Sequence, residues 1–291
     1  MNIIGTPTTI TADSSKLGIT KSNDLKTVNI YGVKISGRFT GTYHFPKTLE
    51  TADLTGIDTS NITSMNRMFA DCEKLTSLDL SNLNTSNVTD MDSMFYQCIE
   101  IENLNLSSFD TSNVTNMDAM FGICKKLKEL NLSNFNTSKV TSLYYTFAYC
   151  NALESITIDG FDTKNVTNMK DMFYECSSLK LLNLQSFDTS NVSNMNMMFY
   201  QCIQLESLDL SNFDTSNVTD MTRMFSGCTK LNTLNLSHFN TAKVQKYTSM
   251  FYLCGLNSQL SVIYTPDNWI LKETPSQTFA GARNLTWIES E

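Results

Sequence analysis

The apolar positions of this chain fall into one phrase, written over and over. A phenylalanine recurs at Phe69, Phe95, Phe121, Phe147, Phe173, Phe199, Phe225 and Phe251, always 26 residues apart. Three places after each stands a cysteine: Cys72, Cys98, Cys124, Cys150, Cys176, Cys202, Cys228 and Cys254. A register kept without insertion marks a repeat architecture, in which each unit stacks on its neighbours. Within a period the pattern changes rhythm. After the cysteine comes Leu-x-x-Leu-x-Leu, as in Leu75, Leu78 and Leu80 or Leu205, Leu208 and Leu210. Its last two members alternate, which is strand spacing. A polar turn follows, "SNFDTSN" at Ser211 to Asn217. Val218, Met221, Met224, Phe225 and Cys228 are then spaced by three and four, which predicts one face of a short helix. Thr219 is placed to cap that helix, with Asp220 in its first turn.

One period thus reads strand, turn, short helix. The whole predicts an α/β repeat solenoid with one continuous parallel sheet on one face and short helices on the other. Eleven strand anchors are expected, at Val28, Ala52, Leu78, Leu104, Leu130, Ile156, Leu182, Leu208, Leu234, Leu260 and Ile288. The ends decay. "LKTVNIYGVKIS" from Leu25 fits the template loosely, and "TFAGARNLTWIES" from Thr278 puts Ala282 in the cysteine place. Residues 1–44 are expected to form an N-terminal cap with one degenerate repeat. Residues 45–291 are expected to form the array with a degenerate C-terminal cap, all within a single solenoid domain.

Charge narrows the functions. The 291 residues carry a formal net charge of −8. Phosphate binding needs clustered Lys and Arg, so nucleic acid and anionic membrane surfaces are poor partners. No run of 18 apolar residues is present, so no membrane span is expected. The opening "MNIIGTPTTITADSSKLG" has no basic start and no long apolar stretch, so no signal peptide is visible. The chain is expected to be either cytoplasmic or a trimmed piece of a longer one. Asn-x-Ser/Thr triplets are dense, as at Asn61 and Asn284, which fits a repeat written in Asn and Thr and favours a bacterial source.

The phrase "MFxxCxxLxxLDLSxFDTSNVTxM" resembles the repeat of the BspA-like bacterial leucine-rich-repeat surface proteins. The likeness is to the branch with the Asp-Thr-Ser-Asn-Val signature, found in mycoplasmas and low-GC Gram-positive bacteria. It covers residues 45 to 290. The resemblance implies a leucine-rich-repeat solenoid at the cell surface or outside the cell, with adhesion or protein binding as its role.

The tempting chemistry dissolves on inspection. Each cysteine stands a full period from the next, with no histidine in its coil, unlike the tight ligand clusters of metal sites. Side chains stacked in parallel keep their Cβ atoms about one coil step apart, beyond the usual disulfide value near 3.8 Å. A buried ladder of free thiols acting as small hydrophobes is expected. The methionine columns, such as Met91, Met117 and Met169, read as core. The Asp-Thr-Ser-Asn turns, such as Asp110 to Asn113, could suggest calcium. But Asn84 and Asn136 replace the acid, and turn stabilisation fits better. His44 and His238 lie near no repeated acid or nucleophile. No phosphate loop, zinc helix or nucleophile elbow appears, so no enzyme, catalytic residue, metal or cofactor is expected.

Two surfaces remain as candidates. The strand face exposes a polar ladder that includes Asn131 and Asn183. The other surface is aromatic. Most coils place small or charged residues at the two positions before the Met-Phe pair, but the coil "TSLYYTFAYC" at Thr141 to Cys150 has Tyr144 and Tyr145 there and Tyr149 after the phenylalanine, with Tyr174 one coil on. Tyr96, Tyr200 and Tyr252 share the column of Tyr174. Exposed tyrosines are enriched at binding hot spots. The expected function is a macromolecule-binding, non-enzymatic module, with a host or neighbouring-cell protein as partner. A glycan-binding module and a structural spacer are the alternatives.

Overall fold

The computed structural model describes residues 2–4, 9–11, 26–39, 45–264, 267, 269 and 285–289. His44, Ala282 and Asn284 lie outside the described residues, as does most of the expected N-terminal cap. The described chain is a parallel β-solenoid of about eight turns with a 26-residue period. Its core is the set of columns the pattern marks. All eight repeat phenylalanines and all eight cysteines are buried. Phe45, Phe69, Phe95, Phe121, Phe147, Phe173, Phe199, Phe225 and Phe251 stack face to face in one line, with ring centroids 5.0–5.8 Å apart.

The strands are β1 (Asn2–Ile4), β2 (Thr9–Thr11), β3 (Thr27–Phe39), β4 (Thr51–Met65), β5 (Ser77–Asp79), β6 (Glu129–Asn131), β7 (Ser155–Thr157), β8 (Ser207–Asp209), β9 (Thr233–Leu236), β10 (Leu260–Tyr264) and β11 (Leu285–Glu289). Every pairing between them is parallel. Val28 faces Ala52, Ala52 faces Leu78, Leu130 faces Ile156 and Leu208 faces Leu234, as the spacing predicts. The expected continuous sheet is not formed. Among the described residues there is a five-stranded sheet (β1–β3–β4–β5, with β2 also on β3), the pair β6–β7, and a four-stranded sheet (β8–β9–β10–β11). The coils at Leu104 and Leu182 hold their anchors against the core without strand pairing.

The last coils also slip. Leu234 pairs with Val262, not Leu260, and Val262 pairs with Trp287, not Ile288. Two additional residues between Cys254 and the strand cause this. The segment "GLNSQ" turns through Gly255, whose φ is +64°. A Cβ there would come within 2.6 Å of the Leu260 Cβ, so the turn needs glycine.

The expected short helices are absent; among the described residues there is no helix. Spacing of three and four places Met91, Met94, Phe95 and Cys98 in the core, as read. The backbone does something else. Alternate amides bond within the coil, three residues back: Met94 N–H to the Met91 carbonyl, Tyr96 to Ser93, Cys98 to Phe95. The amides between them leave the coil. Ser93, Phe95 and Gln97 donate to the carbonyls of Asp118, Met120 and Gly122 in the next coil, at 2.8–2.9 Å. An α-helix would spend every amide on its own axis and leave none for stacking. The exported amides are aimed by residues in the left-handed region, spaced four apart, such as Ser93 (φ 55°) and Gln97 (φ 60°). Thr219 accordingly caps no helix; its amide and hydroxyl both donate to the Ser193 carbonyl of the preceding coil.

The polar turn is stacked by its side chains. Asp110, Asn136, Asp188 and Asp214 each accept the amide two residues on, so Asn serves as well as Asp. The buried threonine that follows reaches across coils. Thr111 Oγ1 donates to the Asn136 carbonyl (3.1 Å) and accepts the Asn136 amide (2.8 Å). The cysteines are hydrogen-bonded as well as apolar. Each thiol from Cys98 to Cys228 donates to the phenylalanine carbonyl of the preceding coil at 3.0–3.2 Å. That carbonyl already accepts an amide of its own coil, as Phe69 does from Cys72. The thiol uses its second lone pair, which goes beyond the purely apolar role expected for these residues.

Two outcomes follow from this packing. Thr111→Val should orphan a buried amide and carbonyl and lower unfolding free energy in urea by about 2 kcal/mol, with Thr111→Ser costing roughly half as much or less. Equal losses for both variants would mean that the hydroxyl ladder contributes nothing. Burial also pushes the thiols upward, Cys150 and Cys228 to about 12. All eight should therefore stay silent to a thiol reagent in the native protein and react together after unfolding without reductant.

Candidate functional site

The coil Thr141–Cys150 departs from the template in sequence, and in the structure it is where the stacking ladder breaks. A column of single parallel bridges joins Ser64, Asp90 and Asn116, then resumes from Ser142 through Asn168, Asn194 and Asp220 to Lys246. In neighbouring coils an Asx side chain here accepts the amide two residues on, as Asn116 does from Asp118 and Asn168 from Lys170. Ser142 is too short to do this well and reaches the Tyr144 amide at only 3.3 Å. Asp118 of the preceding coil takes over. It accepts both the Tyr144 amide (2.9 Å) and the Ser142 hydroxyl (2.6 Å). Burial still pushes its carboxyl above the usual range, because desolvation outweighs those two bonds.

Above this break the tyrosines gather. Tyr145 and Tyr149 both have φ 59°, in the left-handed columns where other coils carry residues such as Ser93 and Gln97. A bulky ring there is strained by about 1–2 kcal/mol. The Tyr145 ring lies over Gly122, whose absent Cβ would sit 3.0 Å from Tyr145 Cδ1 and 3.1 Å from Tyr96 Cδ2. Gly122 occupies the column that holds Tyr96, Tyr174 and Tyr200 elsewhere, so one coil gives up its tyrosine to seat the ring of the next. Five rings then form one string: Tyr96 to Tyr145 at 6.4 Å, Tyr145 to Tyr149 at 6.1 Å, Tyr149 to Tyr174 at 5.0 Å, Tyr174 to Tyr200 at 4.7 Å. Tyr144 joins beside Tyr145 at 5.7 Å. All six are half-buried. Burial raises the phenols of Tyr145 and Tyr174, so both present neutral hydroxyls at physiological pH.

Beside Tyr145, in its own column one coil on, is Asp171. It is 7% exposed, and its Oδ1 is buried with no hydrogen-bond partner. Its Oδ2 lies 3.7 Å from Lys170 Nζ, which itself sits 5.7 Å from the Tyr144 ring centroid. Burial pushes the carboxyl up to about 6, against the pull of the Lys170 charge.

The structure therefore brings together Tyr144, Tyr145, Tyr149 and Tyr174. The sequence also marks Tyr96 and Tyr200 as members of one column, but only the ring geometry joins them to this cluster. Gly122 and Asp171 escape a reading by residue type alone; their signal is a departure from their columns. Asn131 and Asn183 stand on the exposed strand face, and no described contact or cavity joins them to the tyrosines. Each is tied into its own turn, accepting the amide of Ser133 and Gln185 respectively, and Asn183 also donates to Asp159. Of the two histidines, His238 is exposed and bonds through Nδ1 to the Ser211 carbonyl. No described group of three or more His, Cys, Asp or Glu could hold a metal ion, and no described helix is long and apolar enough to cross a membrane.

Stacked parallel coils with an unbroken 26-residue period, and a run of rings laid across five of them, define a β-solenoid with an aromatic face. The family described as "Mycoplasma protein of unknown function, DUF285" matches the chain over residues 33–155, 97–182 and 178–284, and the chain belongs to that family. No curated protein matches it.

The orphaned carboxyl gives a pH test. A folded-state pKa above the unfolded value means that the native protein holds the proton more tightly. Its stability must therefore fall as pH rises from about 4 to 6, with the full cost present above that. Asp171→Asn keeps the shape and tolerates φ 57°. It should raise unfolding free energy at pH 7.5 by roughly 1–2 kcal/mol, less than the full linkage value because Lys170 and solvent screen one oxygen. Melting curves of the two proteins should converge near pH 4; a constant gap would show that the carboxyl is not the cause.

Proposed function

We propose that this chain is a non-enzymatic binding module of BspA-like character, displayed at a bacterial surface, which holds a protein partner on its tyrosine face. The observation that carries the reading is the string from Tyr96 to Tyr200, with Tyr145 and Tyr149 held in the left-handed region. A fold that needed only to stack would place small or polar residues in those columns, as most of its other coils do. Strain kept in two adjacent large side chains points to a use for them. Tyrosine suits that use, because it offers a large rigid face and a hydroxyl at low entropic cost. The orphaned Asp171 beneath the rings adds a second unmet group at the same place. The acid surface and the paucity of clustered bases turn the reading away from nucleic acid.

The test is binding to a panel of immobilised extracellular-matrix proteins, comparing the native chain with Tyr144→Ser/Tyr145→Ser. The double variant should weaken binding about tenfold or more, since truncated aromatic anchors typically cost at least about 2 kcal/mol. Its melting temperature should move by only a few degrees, because both rings are only half-buried and serine already holds the Tyr145 column at Ser93 and Ser249. Binding that survives in a protein that melts far earlier would make the rings core and defeat the proposal.

A further inference from the structure

A second site lies further along the same face, and it does not rest on the reading of the Tyr145 cluster. It begins with a missing rung. In the column after each phenylalanine, Tyr174 and Tyr200 stack at 4.7 Å with planes 18° apart. The next position is Ser226, and the one after is Tyr252. Ser226 is buried, while Tyr252 is 42% exposed. A cleft of about 290 Å³ opens where the ring is missing, lined by Tyr200, Arg223, Ser226, Ser249 and Tyr252.

The charge in this cleft is unmatched. Arg67 holds the equivalent place in the first coil. Its guanidinium is clamped by Asp71, four residues on, at 2.6 Å, and lies 5.9 Å from the centroid of Tyr96 in the next coil. Arg223 is its counterpart, and Tyr252 is the counterpart of Tyr96. But the residue four places after Arg223 is Gly227, which brings no carboxylate. Among the described residues Arg223 makes no ion pair. Its side chain is exposed within the cleft. The chain thus contains a template of the paired arginine and, six coils on, the same arrangement without its carboxylate; the small residue beside it, Ala70 there and Ser226 here, is common to both.

We propose that this cleft binds a pyranose sugar bearing a carboxylate. The sugar ring lies over Ser226 between Tyr200 and Tyr252, and its carboxylate pairs with Arg223 from the cleft side, since the Gln201 side chain covers the Gly227 position from which Asp71 would reach. The buried rings beneath, Phe199, Phe225 and Phe251, are 5.7 and 5.4 Å apart. A gap two such steps wide is looser than the about 3.5–4 Å contact on each face that a flat aromatic ring needs. The thicker chair of a pyranose fills it better, with its C–H faces on the two tyrosines. Ser249 supplies a hydroxyl for the sugar's own, and the buried Ser226 floors the cleft. Arginine matches a carboxylate through two parallel N–H donors, which a neutral sugar cannot use. The net charge of −8 repels polyanions, so the fit is to one carboxylated residue and not to a densely charged polymer.

Saturation-transfer NMR on the full chain tests this with three probes: methyl glucuronide, methyl glucoside and benzoate. The glucuronide ring protons should be saturated, and the glucoside, which carries a neutral hydroxymethyl group where the glucuronide has its carboxylate, should bind about tenfold more weakly or worse. Arg223→Gln should abolish the glucuronide signal. So should Ser226→Tyr, which restores the rung and is tolerated by precedent in the coils on either side, so that its melting temperature should not fall. Glucuronide that is not saturated, glucoside that binds equally, or Ser226→Tyr that binds as before would each overturn the assignment. Benzoate that binds more tightly than glucuronide would overturn the sugar in favour of an aromatic acid.

Discussion

Every feature of this molecule depends on where the backbone amides of the Met-Phe segment go. Half are spent inside the coil and half are handed to the next, and this alternation converts a sequence with helical side-chain spacing into a stackable unit. It requires left-handed residues at regular intervals. Among the described residues fifteen other than glycine accept that conformation, and glycine supplies only Gly227 and Gly255. Each such residue costs about 1–2 kcal/mol, and each exported amide returns about 0.5–1.5 kcal/mol. Backbone bonding alone barely balances. The buried Phe, Met, Leu and Cys columns supply the surplus, and they do so only when coils stack.

The same alternation explains why function collects on this face. Left-handed positions point side chains out of the ladder in two fixed columns, one on each side of the phenylalanine. Most of what stands there is partly exposed and outside the packing rules that fix the core, with Ser93 and Asp171 as buried exceptions. Arg67 with Asp71, Tyr145 with Tyr149 and Arg223 with Gly227 occupy the same pair of columns in different coils. The fold works as a rack with identical pegs, and individual coils change what hangs on them. On the opposite strand face Asp79, Asn105, Asn131, Asn183, Asp209 and Asn235 each spend a carbonyl or carboxylate oxygen on a backbone amide two residues on. That face is occupied with holding its turns, which leaves it less to offer a ligand.

Ladders like these are cooperative, and a defect in one rung must be absorbed by its neighbours. The coil with three tyrosines shows how. Ser142 weakens a bridge that Asx residues make elsewhere, Asp118 reaches up from the coil before to hold the Tyr144 amide, and Gly122 retreats to seat the Tyr145 ring. Two coils are altered to accommodate one substitution pattern. Asp171 is the piece that no neighbour compensates: a buried carboxyl oxygen without a donor.

The solenoid, its period, its core columns and the order of its coils are legible in the chain alone, because side-chain burial repeats with the chain and the chain writes it plainly. The sequence also singled out Tyr144, Tyr145, Tyr149 and Tyr174 by their departure from a template. It misread the Met-Phe segment as a helix, since spacings of three and four report which side chains turn inward and are silent on where the amides bond. It placed the last two anchors at Leu260 and Ile288, because an apolar alternation cannot show that two residues before the strand are taken up by a turn at Gly255. Folding is needed to show that Gly122 is a seat for a ring, that an Asp171 oxygen is orphaned beside Tyr145, and that Asp71 clamps Arg67 while Arg223 goes unpaired. The first two are relations between coils, far apart in sequence and one step apart in space, and the third shows itself in the ion pair that Arg67 makes and Arg223 does not; all exist only once the stack has formed.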